Sequence, residues 1–165
     1  MKIISDKELQ QLTIHVADAL LAKKWRLATA ESCTGGWLAK CCTDITGSSQ
    51  WFDRGWVSYT NQSKQDMLNV NAATLEQYGA VSEAVACEMA QGALLSSSAT
   101  ISIAVTGIAG PSSVSKTIAI GTVCFSLATQ SCAETITHYF EGSRDAVRRQ
   151  AVATALMLIM KNVNK

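Results

Sequence analysis

Residues 28–40 read ATAESCTGGWLAK: a short apolar run carries into Glu31, Ser32, Cys33 and Thr34, a glycine pair follows, and a helical pattern restarts at Trp37. The apolar run suits a short strand over 26–31, and Thr34 suits the cap of a helix that passes through Trp37, Leu38 and Cys41 and ends near Thr46-Gly47. The stretch is therefore a strand-to-helix turn. Open α/β sheets bind ligands beyond the carboxyl ends of their strands, where helix N-termini offer free N–H groups. A turn there that carries a carboxylate, two hydroxyls, a thiol and Gly35-Gly36 is a candidate binding wall, since glycine admits a ligand close to the backbone. Taken alone, a Gly-Gly pair also suits any tight turn.

Working outward, Ser5 to Glu8 form an S-x-x-E capping box, and Leu9, Leu12, Val16, Leu20 and Leu21 recur at helical spacing to about residue 23. GWVSY at 55–59 is a short strand candidate, and TNQSKQDMLNV after it is a short helix capped by Thr60 or Asn61, with Lys64 near its first turn. AVSEAVACEMAQGALL at 80–95 is a stronger helix capped by Ser82, with Glu83 in its first turn and Val85, Met89 and Leu94 on the inward side. ATISIAVTGIAGP at 99–111 is a near-continuous apolar strand that stops at Thr106-Gly107. Residues 119–128 and 132–140 read as a hairpin over Thr129 to Ser131, and a final helix runs from Ser143 to about 161. Helices interleaved with apolar strands predict an α/β protein, a three-layer α/β/α sandwich with a mixed sheet, single domain over 1–165.

The chain has 165 residues, 48% hydrophobic and 16% charged, enough for one core, and a net charge of +1 with no run of either sign. That balance supplies neither a nucleic-acid footprint nor a membrane-surface patch, so the expected partner is a small molecule. The opening MKIISDKELQQL lacks the apolar core of a signal peptide, no segment is long enough to span a membrane, and a cytoplasmic location is expected. Six cysteines without a C-x-x-C pair and only two histidines, His15 and His138, predict no metal site, and the thiols read as small buried hydrophobes.

The polar loops at Glu31 to Gly36 and Thr106 to Gly110 match neither the P-loop nor the dinucleotide fingerprint. No Ser-His-Asp set is evident either. TGSSQWFDRGWVSYTNQSK places Ser48, Ser49, Tyr59 and Lys64 in one segment; a desolvated lysine can serve as base for a serine, and a tyrosine hydroxyl can assist proton transfer or hold an oxyanion. The same residues admit a plainer reading as a loop cap, a core aromatic and a solvated helix lysine. In GSRDAVRRQA, Arg144 and Arg148 are four apart and suit a phosphate grip, while Asp145 and Arg149 suit an ordinary helix pair or a solvated face.

The blocks AESCTGG, GSSxWFxRGxVxYxNxxK, AVSE, TGIAGP, GTV and RDAVRRQA occur in this order, from about residue 8 to 155, and resemble the CinA C-terminal domain family, whose single-domain members are nicotinamide-nucleotide amidohydrolases. The resemblance implies the three-layer fold, hydrolysis of the carboxamide of nicotinamide mononucleotide to the acid and ammonia, a homodimer, and neither a metal nor an organic cofactor. By motif position it implies a functional serine at Ser32, the reactive serine at Ser49, the tyrosine at Tyr59 and the lysine at Lys64, with Ser32 able to exchange roles with Ser49. The resemblance further implies substrate contacts at Thr106, Gly107, Arg144 and Arg148, and the strand-end turn itself suggests them at Glu31, Thr34, Gly35 and Gly36.

One departure stands out. Enzymatic members usually continue TGIAGP with Asp or Thr and Gly-Gly and then Lys-Pro-Val, where this chain has Ser112, Ser113 and Val114 and then Ile118-Ala119-Ile120, with Lys116 two residues before the lost cation. The alternative expectation is therefore a paralogue that binds a pyridine nucleotide or related ligand without amidase activity. A regulatory role in DNA uptake finds no basic patch in the sequence. Trp51, Phe52 and Trp56 crowd one segment and suit either an aromatic core or part of a subunit interface.

Overall fold

The computed structural model describes residues 4–112 and 117–165. Ser113, Val114 and Lys116, singled out above, lie outside them. Five strands form one mixed sheet: β1 (Leu27–Glu31), β2 (Phe52–Val57), β3 (Ile101–Gly107), β4 (Thr122–Thr129) and β5 (Ala133–Tyr139). Their spatial order is β2-β1-β3-β4-β5; β1 runs parallel to β2 and β3, whereas β4 is antiparallel to β3 and β5. The helices are α1 (Asp6–Lys23), α2 (Trp37–Thr43), α3 (Asn61–Leu68), α4 (Ala72–Tyr78), α5 (Glu83–Leu95) and α6 (Arg144–Val163).

The period-2 geometry of the central strands sorts side chains between two helical layers. Leu27, Ile101, Ile103, Val105, Val123, Phe125 and Leu127 face α1, α2 and α6 in the larger core. Ala30, Ala104 and Ala128 face the opposite side, with Val85, Met89, Ala90 and Ala93 of α5 and Leu68 of α3. Small side chains let α5 approach closely, and Ser102 Oγ donates to Ala90 O at 2.6 Å. The expected α/β/α sandwich is what forms.

Most helix starts follow the expected caps. Ser5 with Glu8 and Thr60 with Ser63 make capping boxes, and Ser82 and Ser143 cap α5 and α6. The elements differ from expectation at several points, and α2 ends at Thr43, short of Thr46-Gly47. The second strand lies at Phe52–Val57 rather than 55–59, because its parallel pairing with β1 runs from Leu27 beside Phe52 to Glu31 beside Val57, and Gly55 lets it lie close to Thr29, whose Oγ1 a Cβ would meet at 2.5 Å. Helix α4, capped by Asn71, was not anticipated. Thr34 does not cap α2: the N-cap is Gly36, and the helix's donors go to Glu31 instead. Trp51 is buried in the larger core, edge-on to Phe52.

Candidate active site

The parallel strands β1 and β2 end side by side, and their exits are tied by Ser58 N–H, which donates to Glu31 O at 2.9 Å. Ser32 follows β1 directly, with its own N–H on Val105 O at 2.9 Å. On the β2 side the chain turns through Tyr59, and the Thr60 capping box starts α3 so that Lys64 falls at its fourth position. From there Lys64 Nζ donates to Ser58 O at 2.8 Å and reaches Ser32 Oγ at 3.0 Å. Three local decisions, two strand ends and one cap, therefore bring a lysine onto a serine remote from it in sequence.

Lys64 is 1% exposed, and no ion pair engages it among the described residues. Burial without a counter-charge disfavours the ammonium and lowers its pKa to about 8. About a tenth is then the neutral amine at pH 7 and about half at pH 8, the form that can accept a proton from Ser32. Cys33, beside it, behaves oppositely: burial pushes its thiol up to about 12, so the group stays protonated and unreactive.

These residues open into a cavity of about 640 Å³ lined by Ser32, Cys33, Tyr59, Lys64, Thr106, Gly107 and Arg144, among others. Thr106 Oγ1 donates to Ala80 O at 2.7 Å, fastening the end of β3 to the 79–81 segment that forms another wall. Arg144, at the start of α6, donates from Nη1 to Gly110 O at 2.7 Å and from Nη2 to the hydroxyl of Tyr59 at 3.0 Å. Tyr59 is 57% exposed, so this pair stands at the rim. Ser112, Thr117 and Ile118 of the altered loop also line the cavity. Among the described residues, no group of three or more His, Cys, Asp or Glu side chains is arranged to hold a metal.

Several residues named from the sequence stand elsewhere. Ser49 lies in a short 3₁₀ turn (Ser48–Gln50) before β2, whereas Lys64 follows that strand's far end. The six-residue strand between them spans about 20 Å, and Ser49 is exposed outside the cavity. Ser32 is the serine that meets the lysine. Glu31 does not face a ligand either: fully buried, it accepts N–H bonds from Gly36 and Leu38 at 3.0 Å and from Ala39 at 2.8 Å, supplying the missing helix cap. Desolvation raises its pKa, while those donors pull it back.

Thr34 is buried beside that cap and does not line the cavity, and Gly35 and Gly36 border a separate groove with Trp37, Arg148 and Arg149. The pairing of Arg144 with Arg148 also fails. Arg148 donates from Nε to Cys33 O at 3.1 Å and from Nη2 to Thr34 O at 2.8 Å, leaving only Arg144 on the cavity. Arg149 pairs with Asp6 and, at 3.7 Å, with Asp145. Sequence reading missed Tyr78, Asn61 and the 79–81 segment in the cavity wall; Ala80's link to Thr106 runs through a backbone carbonyl, which leaves no residue-type signal.

The family model described as the CinA C-terminal domain matches residues 9–163. Nicotinamide-nucleotide amidohydrolase PncC of Escherichia coli (strain K12) is 51% identical over 158 residues, covering 94% of this chain and 95% of that protein. The Enterobacter agglomerans protein of the same name is 46% identical, covering 98% of this chain and 99% of its own length. Among solved structures, a competence-damaged protein (CinA) superfamily protein from Klebsiella pneumoniae 700603 superposes with a TM-score of 0.92 at 38% identity, over 94% of this chain and 98% of that one. The competence/damage inducible protein CihA from Agrobacterium tumefaciens gives 0.89 at 37% identity, with both chains fully covered.

Proposed function

Because the chain belongs to the CinA C-terminal domain family, we propose that it hydrolyses the carboxamide of nicotinamide mononucleotide to nicotinate mononucleotide and ammonia, with Ser32 as nucleophile and Lys64 as base. The observation that carries the reading is the 3.0 Å contact between Lys64 Nζ and Ser32 Oγ inside a cavity of ligand size.

Neutral Lys64 takes the Ser32 proton as Oγ attacks the amide carbon. The resulting ammonium returns that proton to the departing nitrogen, so ammonia leaves and an ester to Ser32 remains. Water, deprotonated by the same amine, attacks the ester; the proton then passes to Ser32 Oγ as the acid is released. Cys33 N–H, adjoining Ser32 and with no partner on another described residue, is a donor for the oxyanion, and such a donor contributes about 3 kcal/mol to transition-state stabilisation. Arg144 at the rim supplies the charge for the phosphate, with Tyr59 holding its guanidinium.

The test is ammonia release from nicotinamide mononucleotide by purified protein and by Lys64→Met. Loss of turnover in a folded variant supports the dyad, and retained turnover removes it. The second reading, binding without hydrolysis, rests on Ser112, Thr117 and Ile118 lining the cavity. It is favoured if wild-type protein binds the mononucleotide calorimetrically yet releases no ammonia.

A further inference from the structure

We infer that Arg148 is a positioning residue for this hydrolysis: its guanidinium, placed outside the cavity, holds the Ser32–Gly35 turn so that the Cys33 N–H stays beside the nucleophile, taken by no other described residue. The inference rests on Ser32 being the nucleophile.

The turn is fastened at both ends. Ser32 N–H is fixed to Val105 O at 2.9 Å, Gly35 N–H closes onto Ser32 O at 3.1 Å, and the N–H of Gly36 is taken by Glu31 at 3.0 Å. Between these ties lie two carbonyls: Cys33 O, and Thr34 O, which also accepts the N–H of Trp37, the first residue of α2, at 3.2 Å. Arg148 collects both, through Nε at 3.1 Å and Nη2 at 2.8 Å, from one face of α6. Its guanidinium carbon also lies 5.3 Å from the centre of the Trp37 ring, which restricts the side chain from a further side.

The chemistry of the peptide unit explains what this clamp does. In a trans peptide the N–H points opposite to the carbonyl before it, so a carbonyl held in place also sets the direction of the next N–H. Ser32 O is held by Gly35, which orients the Cys33 N–H; Arg148 holds the unit after it through Cys33 O and shares the next, at Thr34 O, with the Trp37 N–H, so that neither rotates and undoes the turn. Neither Cys33 N–H nor Thr34 N–H has a partner on another described residue. A lysine at 148 keeps the charge but cannot present two donors from one rigid plane to two carbonyls. Gly35 reinforces the arrangement, since a Cβ there would sit 3.4 Å from Arg148 Nη2 on a backbone with φ +62°.

This role differs from a phosphate grip in a measurable way, because a positioning residue acts on any amide bound at Ser32. The experiment compares wild type, Arg148→Met and Arg148→Lys on nicotinamide mononucleotide and on nicotinamide riboside, which lacks the phosphate. Labelling of Ser32 by phenylmethanesulfonyl fluoride is followed in parallel by mass spectrometry. In that step Oγ bonds to sulfur, the S–F bond breaks, fluoride leaves and the proton goes to Lys64.

Arg148→Met is expected to lower kcat by about a hundredfold on both substrates with KM changed less than about threefold, the scale of a small misplacement of reacting groups. Arg148→Lys is expected to fall between the two and, by retaining a long side chain over Trp37, to keep the fold. Sulfonylation of Ser32 should slow in the same order. A rise in KM confined to the phosphorylated substrate would assign Arg148 to phosphate binding and overturn the inference. Unchanged kcat and labelling in folded variants would also overturn it. If wild type labels but releases no ammonia, the amidase reading has failed, while the labelling order still decides the role of Arg148; a wild type that does not label at Ser32 overturns the inference outright.

Discussion

Lys64→Met should make the protein more stable while removing its activity. The ordinary lysine pKa of 10.5 falls to about 8 at this site, so the folded state disfavours the ammonium by about 3 kcal/mol. Methionine fills similar space and carries no charge. Its cost is the lost hydrogen bonding to Ser58 O and Ser32 Oγ, about 1 kcal/mol for each partner left unsatisfied. The balance at pH 7 favours the variant by about 1 kcal/mol, a rise in Tm of about 2–4 °C for a chain of this size. The sign follows from linkage. Above pH 10.5 lysine is neutral in both states and carries no penalty; the penalty grows as pH falls from 10.5 to about 8 and is complete below that. The stability difference between Lys64→Met and wild type, measured by urea unfolding at pH 7 and again near pH 10, should therefore shrink and reverse on going to the higher value. A variant less stable than wild type at pH 7, or a difference that does not move with pH, would refute the claim that Lys64 is held against its solvation.

Other perturbations follow from the same geometry. The pH profile of kcat/KM should show an acid limb with a midpoint near 8, rising with pH as Lys64 loses its proton; a limb near 6 or none above 7 would point to another base. Glu31→Gln exchanges an acceptor oxygen for an amide donor facing the N–H groups of Gly36, Leu38 and Ala39, and should cost about 1–3 kcal/mol in urea unfolding, with wild-type stability counting against the capping role. Gly92→Ala would place a Cβ 1.9 Å from Leu68 O where α5 meets α3, and should destabilise by about 3 kcal/mol or prevent folding; a loss below about 1 kcal/mol would mean that the helices separate easily.

The layered fold was legible because its signals are local. Ser5, Thr60, Ser82 and Ser143 all cap the helices they precede, and the apolar strands at 27–31 and 101–107 were visible as runs. What misled was long-range. Glu31 caps α2 from five residues ahead of Gly36 by folding back across the turn, a geometry that no adjacent-residue rule reads. Ser49 is nearer to Lys64 along the chain than Ser32 is, yet β2 carries the two apart, while parallel pairing of β1 and β2 brings Ser32 in. Arg144 and Arg148 share helical spacing, but the turn carbonyls of Cys33 and Thr34 draw the second arginine out of the cavity. Pairwise spacing says which side chains share a face; only the strand ends say which of them meet.

The central claim is that Ser32, rather than Ser49, works with Lys64. Ammonia release from nicotinamide mononucleotide by wild type, Ser32→Ala and Ser49→Ala tests it most directly. The account predicts that Ser32→Ala loses turnover and that Ser49→Ala, altered about 20 Å of strand away, keeps it within about twofold of wild type. An inactive Ser49→Ala beside an active Ser32→Ala would contradict it.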